Sequence, residues 1–180
     1  MYLIKYLVEL GVNINKDDKN GQTPLFYACE CKNDALVKYL VKHGADIKKE
    51  SKYGHTPLFK ACFGGNKAMV KYLIELGSDI HKIDKLGQTP LSMACFGGNE
   101  TVAKYLIELG ANIHIEDKLG QTPLFLACYN GNEAIVKYLV DLGADFNKKN
   151  KLGQTPLFVA YSRKNESVIK YLIEIDAKKD

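Results

Sequence analysis

At 180 residues the chain has room for one ordinary domain or for one continuous array of small units. An apolar share of 46% with a charged share of 26% excludes a disordered chain, and a net charge of +4 is too mild to argue by itself for nucleic acid. No apolar run approaches the roughly 18 residues of a membrane span.

The opening stretch, MYLIKYLVELG, is interrupted by Lys5 and Glu9 and is followed by no small-residue cleavage site. It therefore reads as no export signal, and the expected location is cytoplasmic or nuclear. Beyond it, Thr-Pro-Leu begins at Thr23, Thr56, Thr89, Thr122 and Thr155, always 33 residues apart. A fixed period of that length marks a stacked array of equal supersecondary units.

One period, residues 117–149, spells out the unit. Asp117 can close an Asx turn, and Gly120 supplies the positive φ of a tight turn. Thr122 offers a side-chain oxygen as N-cap, with Pro123 at the first helical position. The spacing predicts a short helix through LFLACYN that stops at Gly131. Asn132 then caps a second helix, EAIVKYLVDL, which ends at Gly143. Leu124, Ala127, Cys128, Ile135, Val136, Leu139 and Val140 recur at helical spacing, so each unit buries its face against the next copy.

The run D-K-x-G-Q-T-P-L-F-x-A-C-x-x-G-N, followed by V-K-Y-L-[IV]-x-L-G-A-[DN]-I, resembles the ankyrin repeat over essentially the whole chain. The resemblance implies an all-α ankyrin-repeat solenoid, a single domain of stacked helix-turn-helix units joined by hairpin-like β-turn loops. The repeats fall at 18–50, 51–83, 84–116, 117–149 and 150–180. Residues 1–17 match only a second half, and the N-terminal helix and the apolar last unit read as part of a longer array. Three departures from the family pattern stand out. The usual His after Thr-Pro-Leu is replaced by Phe26, Phe59, Ser92, Phe125 and Phe158, which implies an apolar ladder in place of a hydrogen-bonded one. Lys32 and Lys164 stand where Gly65, Gly98 and Gly131 end the first helix, so the first and last full units should be the weakest. Asp176 replaces the second glycine.

No catalytic or metal constellation emerges, and no enzymatic activity and no cofactor or small-molecule substrate are expected. His43, His55, His81 and His114 lie in turns and loops and read as solvated. Cys29, Cys62, Cys95 and Cys128 share one slot and read as small buried hydrophobes, leaving Cys31 as the accessible thiol. Gly64-Gly65-Asn66 and Gly97-Gly98-Asn99 lack the Lys and Ser/Thr of a phosphate loop. LVDLGADFN, residues 139–147, resembles the context in which ankyrin-repeat asparagines are hydroxylated, which points to Asn147; Asn15 matches less well.

If shared slots build the frame, function falls to the slots that vary. In ankyrin-like arrays these are the turn tips and the exposed face of the first helix, which line a concave groove. The resemblance thus places partner contacts at Tyr53, Leu86, Leu119 and Leu152, and at His55, Gln88 and Gln121 on the tips. On the first helices it places them at Lys60, Met93 and Leu126 and at the aromatic trio Phe63, Phe96 and Tyr129. Lysine ladders run beside the tips (Lys19, Lys52, Lys85, Lys118, Lys151) and along the second helices (Lys38, Lys71, Lys104, Lys137, Lys170). The lone arginine, Arg163, weakens a nucleic-acid reading. The expectation is a non-enzymatic protein–protein interaction module. The alternatives are a structural or end-to-end self-associating segment, or weak polyanion binding through the lysines.

Overall fold

The computed structural model describes residues 6 and 8–178. Ten helices lie among them: α1 Pro24–Glu30, α2 Asp34–Lys42, α3 Pro57–Gly64, α4 Lys67–Glu75, α5 Pro90–Phe96, α6 Glu100–Glu108, α7 Pro123–Asn130, α8 Glu133–Asp141, α9 Pro156–Ser162 and α10 Glu166–Asp176. Residues 6, 8 and 9 are also helical, where the sequence places a lone second helix. The remainder of that expectation, residues 1–5 and 7, lies outside the described residues. No strand occurs among the described residues, so the architecture is all-α.

Each first helix opens on an extended threonine with proline at its start. The expected side-chain cap forms only in two units, where Ser92 N–H donates to Thr89 Oγ1 and Phe158 N–H to Thr155 Oγ1. At Thr23, Thr56 and Thr122 it is not made, and the residue three positions on is there a buried ring, Phe26, Phe59 or Phe125. Thr23 Oγ1 is left buried without a partner. Phe26, Phe59 and Phe125 are thus buried at this slot, but the predicted apolar run is interrupted where Ser92 bonds Thr89 Oγ1 at 3.1 Å and ends at Phe158, which is 52% exposed.

The second helices start at asparagines, with Asn33, Asn66 and Asn132 accepting from Leu36, Met69 and Ile135 N–H as predicted for Asn132. Between the two helices the chain passes through a left-handed residue. Gly65, Gly98 and Gly131 occupy it freely, but Lys32 and Lys164 adopt φ of 54° and 58°. An L side chain pays about 1–2 kcal/mol there. Lys164→Gly should accordingly raise the stability of the last repeat by about 1 kcal/mol, read as a higher urea midpoint with an unchanged slope. Where Asp176 replaces glycine, α10 runs on for 11 residues, against 9 in the other second helices.

Units stack in two layers. First helices pack on first helices (α1, α3, α5, α7, α9 in order), and α4, α6, α8 and α10 pack likewise in the second layer. The core between the layers is one continuous cluster in which Leu40, Leu73, Leu106, Leu139 and Leu172 repeat a single slot, each 0–1% exposed. Cys29, Cys62, Cys95 and Cys128 are buried in it and Cys31 is exposed, as read from the sequence. Burial pushes the Cys29 and Cys128 thiols up to about 12 and raises Cys62 and Cys95 as well. These are packing groups, held as neutral thiols.

Candidate functional site

The turn tips are built by one device repeated. Asp117 Oδ1 accepts from Leu119 and Gln121 N–H at 2.9 Å, the Asx turn the sequence implied. Asp18, Ser51, Asp84 and Asn150 do the same in the other units. Adjacent tips are then stitched through backbone: Lys52, Lys85, Lys118 and Lys151 N–H donate to the carbonyls of Asn20, Tyr53, Leu86 and Leu119 at 2.7–2.9 Å. Tyr53, Leu86, Leu119 and Leu152 project from this fixed ridge into solvent, while His55, Gln88 and Gln121 are half-buried beneath it.

His55 departs from the solvated-loop reading. Its Nε2 lies 2.9 Å from Asp84 Oδ2 of the next repeat, and its ring stacks on Phe59 with centroids 5.0 Å apart. The Asp84 side chain is fully buried. A histidine paired across 29 residues of sequence carries no local signal.

Along the first helices, Phe63, Phe96 and Tyr129 come together as a stripe, with ring centroids 5.8 and 5.4 Å apart. They remain 42%, 36% and 38% exposed, so mutual packing does not hide them. Arg163 extends the stripe, its guanidinium 4.0 Å above the Tyr129 ring. Beneath the rings each backbone carbonyl is held by an amide of the following repeat: Asn99 Nδ2 donates to Phe63 O, Asn130 to Phe96 O and Asn165 to Tyr129 O. Asn99 and Asn165 make these bonds in place of capping their own helices. Sequence reading missed these clamps: Asn99 and Asn165 stand where a helix cap is expected, Asn130 ends a first helix, and all three bonds cross to the preceding repeat.

A depression of about 190 Å³ opens between the second and third repeats, lined by His55, Phe59, Lys60, Phe63, Met93 and Phe96. Five of these six were predicted as partner contacts. Lys60 is tied down by an ion pair to Glu30 of the preceding repeat at 2.9 Å. Leu126 corrects the prediction. It is only 6% exposed and belongs to the core cluster; Val159, in the same slot of the fifth repeat, is buried as well.

The second-helix lysines are largely engaged. Lys71, Lys104 and Lys137 pair with Glu75, Glu100 and Glu133 on their own helices. Lys38, Lys104 and Lys137 also lie over the rings of Tyr72, Tyr138 and Tyr171. Among the described residues no group of His, Cys, Asp or Glu could hold a metal ion. No helix among them is long and apolar enough to cross a membrane.

Stacked two-helix units that present fixed tips and a continuous side-chain stripe define a helical repeat solenoid. The family described as ankyrin repeats (3 copies) matches residues 1–51, 44–117, 76–150 and 109–180. The chain belongs to the ankyrin repeat family. Its members are generally protein–protein interaction modules. No curated protein matched the chain in a sequence comparison.

Proposed function

We propose that this chain is a non-enzymatic, cytoplasmic protein-recognition module that docks a partner protein on its first-helix groove and turn tips. The observation that carries the reading is the Phe63–Phe96–Tyr129 stripe, exposed yet held by ring contacts above and asparagine clamps below. Aromatic anchors with an apolar centre and a polar rim are what protein interfaces use. Because the rings are already ordered, docking loses little side-chain entropy. Met93, Lys60, His55 and the tip residues Tyr53, Leu86, Gln88, Leu119, Gln121 and Leu152 form the surround; Leu126 supports it from below. Photo-crosslinking tests the placement. A benzophenone side chain at position 96 should trap the partner and one at Glu75, on the opposite layer, should not. Trapping at position 75 alone would overturn the reading.

Asn147 enters as a modification site of the same domain. It is exposed, and its amide donates to Asp176 Oδ1. A 16-Da gain at this residue after incubation with an asparagine hydroxylase is the expected result, and no gain removes the site.

One observation favours self-association as a second reading. Phe158 and Tyr161 in the last repeat are 52% and 54% exposed, in slots that a following repeat buries elsewhere. Sedimentation velocity should then show mass rising with concentration, and Phe158→Ser/Tyr161→Ser should abolish the rise. A mass independent of concentration in the unsubstituted chain would exclude it.

A further inference from the structure

The tip lysines differ from most of the other ladder lysines. Of the second-helix lysines, Lys71, Lys104 and Lys137 have carboxylate partners and Lys38 lies over the Tyr72 ring, while Lys170 forms no ion pair among the described residues; Lys49, Lys82 and Lys148 at the base of the loops reach Asp17, Glu50 and Glu116 of the preceding unit. Lys19, Lys52, Lys85, Lys118 and Lys151 form no ion pair among the described residues, and all five are exposed. Their neighbours explain why. The carboxylates one position earlier, Asp18, Asp84 and Asp117, are committed to turn N–H groups, and Asp18 and Asp84 also bond Tyr27 and His55.

Two of the lysine stems, Lys85 and Lys151, are positioned although they form no ion pair among the described residues. A Cβ built on Gly54 would meet Lys85 Cγ at 3.4 Å, and one on Gly120 would meet Lys151 Cγ at 3.3 Å. The stems therefore lie across the preceding turn, beside the exposed Tyr53 and Leu119. The ridge thus alternates one unpaired cation with one exposed apolar side chain per repeat, from Lys52–Tyr53 to Lys151–Leu152.

Packed helices stand about 8–10 Å apart, so the cations recur at about that interval. A polyproline II segment has three residues per turn at about 3.1 Å each, which returns every third side chain to the same face after about 9 Å. An α-helix would need about six residues for the same advance and is too wide to follow a ridge of tips. The geometry points to the tip ridge as a docking surface for an acidic, extended partner segment that carries Asp or Glu at every third position with apolar residues between. This rests on the protein-recognition reading above and names the chemistry of the partner at the tips.

The probe is a fluorescein-labelled peptide of six Glu-Pro-Leu triplets, titrated with the full chain and followed by anisotropy at low salt. A scrambled peptide of equal composition and an oligothymidylate of equal charge serve as comparisons. The in-register peptide should bind tighter than either comparison. Lys52→Glu/Lys85→Glu/Lys118→Glu should weaken it at least about tenfold. Lys42→Glu/Lys71→Glu/Lys170→Glu, with the same change in net charge away from the tips, should leave it within about twofold. Lys52→Arg/Lys85→Arg/Lys118→Arg should retain binding, and circular dichroism identifies any variant that fails to fold. Equal affinity for the scrambled peptide or the oligonucleotide, or equal loss in the two glutamate variants, overturns the assignment. The groove reading then stands or falls separately, on substitutions at Phe63, Phe96 and Tyr129.

Discussion

Gly87→Ala is expected to destabilise the array by about 2–4 kcal/mol, whereas Gly77→Ala loses only about 1–2 kcal/mol. Both glycines have positive φ, 86° and 92°, so both substitutions incur the left-handed strain of an L residue. They differ in what a Cβ would meet. At Gly77 nothing lies within 4 Å, while at Gly87 the new atom would stand 2.9 Å from Asp117 Cα and 3.0 Å from Lys118 N. Those are backbone atoms of the next tip, the ones that stitch Lys118 N–H to Leu86 O. No rotamer change relieves such a clash, so the tips must part. Urea titration of the two variants separates strain from collision: a Gly87→Ala midpoint equal to that of Gly77→Ala would mean that the tips are not in contact.

Leu106→Ala should lose about 2–5 kcal/mol, the usual range for emptying a buried leucine site. Its side chain is fully buried in α6, between the repeats on either side. In a linear array each unit is stabilised only by itself and its neighbours. A weak central unit therefore uncouples both halves, but a weak terminal unit frays alone. Leu172→Ala removes the same slot from the last repeat. It should give a small early transition that precedes the main one and leaves the main midpoint nearly unchanged. A single sharp transition in both variants, shifted equally, would show that the array folds as one unit.

The frame was legible because it is local and repeated. The 33-residue period, the prolines and the paired glycines place ten helices to within a residue or two, and the buried cysteine column follows from its slot. Lys32 and Lys164 could be read as strained positions for the same reason: the other units show what backbone that slot requires. The site was less legible, because its decisive contacts join units. The His55–Asp84 pair, the stacking of Arg163 on Tyr129 and the clamps by Asn99, Asn130 and Asn165 span repeats. A slot average also misled at Leu126. Lys60 and Met93 line the groove depression, and the leucine in the same column turns into the core, where an aliphatic side chain is more stable than in water.

The most direct test of the recognition claim is the affinity of a crosslinked and identified partner for the unsubstituted chain and for Phe63→Ala/Phe96→Ala/Tyr129→Ala, measured by calorimetry. Circular dichroism and urea titration should first show both chains folded, since these rings sit on the surface of the stripe and not in the core. Buried aromatic anchors each contribute on the order of 1–2 kcal/mol to an interface. The triple variant is expected to bind at least about a hundredfold more weakly. An affinity unchanged within experimental error, in a folded variant, would contradict it and move recognition off the first-helix groove.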